Sequence, residues 1–387
     1  MEIFKTHDMR VPVYNWATSL DNLARDQVVT LAKHPLVYHH IALMPDAHGG
    51  SGSTIGTVFG TQNAIFPCAA SVDIGCGMCA IPTGVNAIKE ITDKCGNSVL
   101  RNVPVGHNGH KEPQSWNGFN YKSSDSELTR MIQEEAPFKL GSLGGNNHFI
   151  EWQTDEKGKL WIMIHSGSRN IGFKIAVHHI RKSKKVNPCK LDVNLAHFYS
   201  DSAVGQDYLR DMNWAVDYAF ENRMHMMLSV LEITKETYER NGIPFTFDID
   251  QLINISHNYV SKELHYGEDL WVHRKGATLA DRGTIGIIPG SMGTRSYIVK
   301  GLGNEKSFCS CSHGAGRKMS RRDAKDLFTK KGIKDELNKA GVTCFSPSGD
   351  IRDESPGAYK DINEVMNDQK DLVKILECLR SITVVKG

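Results

Sequence analysis

The chain has 387 residues, of which 46 are Lys or Arg and 44 are Asp or Glu, so its formal charge is only +2 and any nucleic-acid affinity must come from local clusters. Hydrophobic residues make up 40% and charged residues 23%, a balance that fits a globular protein and excludes a disordered or fibrous one. The longest apolar runs fall short of the roughly 18 residues of a membrane helix, residues 1–8 are too polar for a signal peptide, and the nine cysteines are an odd number. A cytoplasmic chain with reduced thiols and no membrane partner is expected.

In chain order, helical periodicity is expected over 21–34, then a strand over 41–44 and another over 160–164. Helices follow at 171–185 and 205–240, strands at 270–273, 286–288 and 296–299, helices at 320–340 and 360–380, and a last strand at 382–385. Ser320 and Asp323 form a capping box for the fourth of these helices. Repeats, low-complexity tracts and linkers are missing, so residues 1–387 read as a single domain. The expected class is α+β, a sheet core wrapped by helices, because the elements do not alternate as regular βαβ units. Five glycine-rich turns at 44–50, 72–78, 164–169, 288–294 and 311–317 carry His, Asp, Cys or Ser. Glycine permits close backbone approach and lets successive N–H groups meet phosphate oxygens, so these turns are expected to build one composite site.

Within the second turn, Asp73 and Cys76 stand three residues apart between glycines, a spacing that lets a carboxylate and a thiolate share a divalent cation. His148, His165 and His257 are candidate further ligands. The soft donors favour zinc and the carboxylate admits manganese, and composition does not choose between them. Cys76 and Cys79 form a Cys-x-x-Cys, but the second close pair, Cys309 and Cys311, has the wrong spacing for a zinc ribbon. The sequence contains no phosphate loop of the Gly-x-x-x-x-Gly-Lys type. His313, flanked by Ser312, Gly314, Ala315 and Gly316, is an accessible imidazole beside Arg317 and can serve as a nucleophile toward phosphorus if a carboxylate such as Asp46 orients its other nitrogen. Basic clusters at 181–185, 274–275, 317–318 and 321–322 are the candidates for phosphate contacts.

At these residues the sequence resembles the RtcB RNA ligase family from about residue 10 onward. The matching segments are 44–49, 73–78, 144–151, 164–169, 257–258, 273–278, 288–294, 312–321 and 385–387, in family order. The resemblance implies an RtcB-type fold and two Mn2+ ions bridged by Cys76, one completed by Asp73 and His148, the other by His165 and His257. It implies that His313, held by Asp46, attacks the α-phosphate of GTP and carries GMP covalently. Guanylate contacts are implied for Asn147, Phe149, Glu151, Asn258, Ser291, Ser296, Ala315, Gly316, Tyr359 and Lys386. The implied substrates are RNA with a 3'-phosphate or 2',3'-cyclic phosphate and RNA with a 5'-hydroxyl, in tRNA splicing or RNA repair, with room for an activating protein. Arg169, Arg317 and Arg321 are the candidates for holding RNA phosphates. Ser51, Asn170 and Arg295 depart from the usual lysine, glycine and alanine of the family.

Two rival readings remain open at this level. The same ligands would suit a two-metal phosphoesterase that opens cyclic phosphates, and an RNA-binding protein with a structural metal is compatible with the charge. The accessible His313 argues against the first.

Overall fold

The computed structural model describes every residue except Ser348. Two large sheets dominate it. One has six strands in the order Glu2–Phe4, Val13–Asn15, Tyr38–His48, Ile55–Thr61, Glu268–Lys275 and Asn258–His265. The other runs Ile253–Ser256, Gly77–Asn86, Lys159–Ser166, Phe149–Thr154, Val373–Lys386, Arg295–Gly301 and Ile285–Ile288, with Thr343–Phe345 joining as a parallel partner of the Val373–Lys386 strand. Its edge strands, Ile253–Ser256 and Ile285–Ile288, approach each other, so the sheet curls nearly into a barrel. Pairing is antiparallel except at two places, and helices pack outside the sheets, which gives the α+β class expected from the sequence.

The helix Ala203–Arg240 runs for 38 residues along the curled sheet. Its buried residues recur every three to four positions, from Tyr208, Met212 and Ala215 to Met226, Val230 and Tyr238. Ser202 caps its first turn by accepting from Gly205 N, and Gly242 at φ +77° follows its end. Trp152 on the sheet donates its indole N–H to Thr234 Oγ1 of this helix at 3.0 Å, inside a core that includes Ile81, Ile162 and Met226. None of the helices among the described residues is long and apolar enough to cross a membrane.

Two helical expectations are corrected. The segment 320–340 is two helices, Arg321–Leu327 and Lys330–Lys339, because Thr329 takes an extended backbone and caps the second by accepting from Gly332 N. Residues 360–380 are helical only over Ile362–Asp368; from Val373 the chain is a strand that pairs with three others along its length. That segment carries apolar residues at spacings compatible with either period, and sheet pairing overrides its local preference. The Ser320–Asp323 cap is present, with Asp323 N donating to Ser320 Oγ at 3.1 Å.

Met226 is fully buried between this helix and the sheet. Met226→Ala is expected to lower the unfolding free energy by about 2–5 kcal/mol through lost contacts and a residual cavity. Urea unfolding followed by circular dichroism checks this.

Candidate functional site

The site forms where strands of the curled sheet end together. Met78 and Phe149 both pair with His165, Gly77 pairs with Ser166 and with Ser256, and Phe149 pairs with Lys386. Cys76 precedes Gly77, His148 precedes Phe149 and His257 follows Ser256. Strand register alone therefore brings Cys76, His148, His165, His257 and Lys386 to one edge.

Cys76 Sγ lies 3.5 Å from His148 Nε2 and 3.3 Å from His165 Nε2, all three residues being buried. Asp73 Oδ2 is 3.7 Å from His148 Nε2. The far nitrogens are fixed by backbone: His148 Nδ1 donates to Leu143 O at 3.1 Å and His165 Nδ1 to Asn147 O at 3.3 Å. A carbonyl only accepts, so the proton belongs on Nδ1 and each Nε2 lone pair faces the cysteine. Burial, reinforced by neighbouring imidazoles, pushes the His165 and His257 rings well below the usual range and keeps them neutral. Burial and the Asp73 carboxylate push the Cys76 thiol well up. Burial opposes ionisation of Asp73, but His148, Cys76 and His165 together hold the carboxyl below its ordinary value.

These residues fit a divalent cation. Two imidazole nitrogens and a sulfur converge with lone pairs inward, and His257 Nδ1 is buried without a hydrogen-bond partner among the described residues. A bound cation would satisfy that atom and reverse the penalty on the Cys76 thiolate.

His313 stands against this cluster, its ring centroid 4.9 Å from that of His257. Asp46, fully buried at the end of the Tyr38–His48 strand, accepts from His313 N at 3.0 Å and Gly314 N at 3.2 Å. His313 Nδ1 lies 2.6 Å from Asp46 Oδ2, an ion-pair distance at which the ring is not turned for a straight hydrogen bond. Burial opposes ionisation of Asp46, yet His313, His48 and Lys360 together hold its carboxyl below the usual range. Gly316, at φ +73°, lets the turn return close to Asp46; a Cβ there would lie 2.3 Å from Asp46 O. With Nδ1 on Asp46, Nε2 is the nitrogen free for chemistry.

Beside His313 a cavity is lined by Asn147, Phe149, Glu151, Ser291, Ala315, Gly316, Tyr359 and Lys386, as well as by His165 of the metal cluster. Lys386 Nζ crosses it to Glu354 Oε2 at 2.9 Å and sits 5.5 Å from the Phe149 ring centre. Tyr359 OH donates to the same Glu354 oxygen at 2.8 Å. Burial opposes ionisation of Glu354, but Lys386 and Arg321 hold it down at about 2.

Two of the named residues stand outside the cavity wall. Asn258 bridges backbone, donating to Asp73 O at 3.0 Å and accepting from Gly276 N at 2.8 Å. Ser296 lies behind Gly290, whose N–H it accepts at 3.3 Å. Arg317 and Arg321 reach the cavity but spend their charge on Glu354 and Asp353, and Arg169 is buried, donating to Ser142 Oγ and Gly106 O. Arg274 and Lys275 are buried, which removes that cluster from any nucleic-acid surface. Asn170, where glycine is usual, takes φ +68°, a conformation that favours glycine and that Asn tolerates best among the others. Glu354, His48 and Met292 line the cavity and were not singled out from the sequence. Nothing in the spacing of Glu354 ties it to a lysine 32 positions on.

Burial pushes the Glu151 carboxyl up to about 7, against hydrogen bonds from Ser381 (2.7 Å) and Gln153 (2.6 Å) and the nearby Lys386 charge. Because this value lies above the unfolded one, the neutral carboxyl favours folding at low pH and the advantage is lost as pH rises through about 7. Glu151→Gln is therefore expected to gain about 2 kcal/mol of stability relative to the parent between pH 5 and pH 8. Denaturant titrations at the two pH values read this directly.

Comparison with known proteins places the chain in a family. A profile of the tRNA-splicing ligase RtcB family matches residues 27–387. The chain is 39% identical to the RNA-splicing ligase RtcB of Escherichia coli strain K12 over all of its own length and 99% of the relative's. It is 30% identical to the tRNA-splicing ligase RtcB of Nanoarchaeum equitans, covering all of this chain and 97% of that one. It is also 30% identical to the E. coli RNA-splicing ligase RtcB2 over 90% of its length and 87% of the relative's. Family profile and full-length identity point the same way: the chain belongs to the RtcB family.

Proposed function

We propose that this protein is an RNA ligase that uses GTP and manganese to join an RNA 3'-phosphate or 2',3'-cyclic phosphate end to a 5'-hydroxyl end. The names of its full-length relatives, an RNA-splicing and a tRNA-splicing ligase, support RNA ligation. The proposed setting is tRNA splicing or RNA repair, in the cytoplasm, with residues 1–387 acting as one domain. The observation that carries the reading is the junction at His313: its Nδ1 is engaged by a buried carboxylate, and its ring borders both the Cys76 cluster and the cavity.

His313 Nε2 bonds to the α-phosphorus of GTP, the α–β phosphoanhydride breaks, and pyrophosphate leaves with the electron pair. Asp46 fixes the reacting tautomer and stabilises the positive charge that the ring acquires. Water opens a 2',3'-cyclic end to a 3'-phosphate; an oxygen of that phosphate attacks the α-phosphorus and the His313 Nε2–phosphorus bond breaks with its electron pair returning to the ring. The 5'-hydroxyl oxygen, losing its proton, then attacks the RNA phosphorus, and GMP leaves with the electron pair of the broken P–O bond. Bound through Asp73, Cys76, His148, His165 and His257, manganese would neutralise charge on phosphoryl oxygens. Phe149 and Tyr359 offer apolar faces for the purine, Glu151 a carboxylate for its hydrogen-bond donors, and Lys386 a cation beside them. Ser291, Ala315 and Gly316 border the same cavity, and so does Asn147, whose carbonyl holds the Nδ1 of His165. Asn258 and Ser296 act behind this wall, holding the turns that shape it. This chemistry leaves room for an activating protein.

Incubation with Mn2+ and α-labelled GTP is expected to leave acid-labile, alkali-stable label on the denatured protein. His313→Ala and Cys76→Ala should each abolish it. A folded, manganese-loaded parent protein that takes no label overturns the ligase reading.

A further inference from the structure

At the middle of the helix Ala203–Arg240, two adjacent polar residues, Asn222 and Arg223, are fully buried behind the ligand-bearing turns. Arg223 Nη1 donates to Gly75 O at 2.8 Å and to Ser166 O at 3.0 Å. Its Nη2 donates to Ser256 Oγ at 3.3 Å and its Nε to Asn254 Oδ1 at 2.7 Å. Gly75 precedes Cys76, Ser166 follows His165 and Ser256 precedes His257, so one guanidinium reaches the neighbour of three candidate ligands.

Asn222 covers the fourth. Its Oδ1 accepts from Gly141 N at 2.8 Å and Ser142 N at 3.1 Å, and its Nδ2 donates to Ser142 O, Gly167 O and Ser166 Oγ at 3.1–3.3 Å. Ser166 Oγ donates in turn to Leu143 O at 2.8 Å, the carbonyl that also holds His148 Nδ1.

Burying a guanidinium is costly unless a counter-charge is close, and a core position serving only stability is better filled by apolar side chains. Arg223 has no carboxylate in an ion pair with it among the described residues, and all its hydrogen-bond acceptors are neutral. The planar fork does what an apolar residue does not: it fixes three separate turns relative to one rigid helix.

We infer that Asn222 and Arg223 are positioning residues of the metal site, holding the turns of Cys76, His148, His165 and His257 at ligating distance before a cation binds. This rests on the metal reading proposed above. Rigid outer partners of this kind govern how tightly a site holds its ion, because the ligands need no reorganisation on binding.

The test is Mn2+ affinity of the full chain, read from the free-ion paramagnetic resonance signal, together with the thiolate-to-metal absorption of Co2+ in the same site. Arg223→Lys keeps the charge and loses the fork; it is expected to weaken Mn2+ binding by about tenfold or more and to shift the Co2+ band. Asn222→Ser is expected to act in the same direction and keeps the test decisive if Arg223→Lys does not fold. Trp152→Phe, which loosens the same helix by removing the bond to Thr234, should bind Mn2+ like the parent. The inference fails if both variants bind within about twofold of the parent, or if Trp152→Phe loses as much affinity as they do. If the parent binds no more tightly than Cys76→Ala, the metal reading itself fails and the inference goes with it.

Discussion

Asp46 is a carboxylate with no exposure to solvent, and the backbone N–H groups of His313 and Gly314, the His313 ring and the nearby His48 and Lys360 hold its charge. A buried carboxylate is tolerated only where such partners converge, so the turn after the Ser310–Ser312 strand cannot drift from the end of the Tyr38–His48 strand without stranding that charge. The turn lies against the edge of the curled sheet, where His257 and His165 follow in sequence across the ring contacts. One interaction thus links the nucleophile to the six-stranded sheet and delivers it to the ligands at the edge of the other.

The remaining polar groups of the site follow the same logic of satisfied burial. Each imidazole of the His148–His165 pair spends its Nδ1 proton on a carbonyl and turns a lone pair inward. Lys386 and Tyr359 share one oxygen of the Glu354 carboxylate while Arg317 and Arg321 pair with the other. Glu151 is hydrogen-bonded by the neutral donors Ser381 and Gln153, and burial outweighs these and the nearby Lys386 charge to push its carboxyl up. A nucleobase offering hydrogen-bond donors beside it would favour the ionised form.

The glycine-rich turns were legible in the sequence because their chemistry is local: Asp73, Cys76 and His313 stand among glycines within a few residues. The helix at 205–240 was legible because its apolar residues keep a helical period across ten turns' worth of chain without an internal proline. What was not legible depends on distant partners. The strand Val373–Lys386 looks helical at its start until its neighbours Arg295–Gly301 and Phe149–Thr154 are known. Glu354 acquires meaning only from Lys386, and Asn222 and Arg223 look like surface residues of a long helix until the turns they hold are in place. Arg274 was misleading in the opposite sense, a basic residue that is buried against Glu263 and Ser310.

The central claim is that His313 and the Cys76 cluster form one centre in which a nucleotide phosphorus and a metal meet. Diffraction at the manganese absorption edge from crystals grown with Mn2+ and GTP tests it most directly. The account predicts an anomalous peak among Cys76 Sγ, His148 Nε2 and His165 Nε2, with continuous density from His313 Nε2 to the α-phosphorus. A peak elsewhere in the molecule, or a guanylate carried by a lysine such as Lys386, would contradict it.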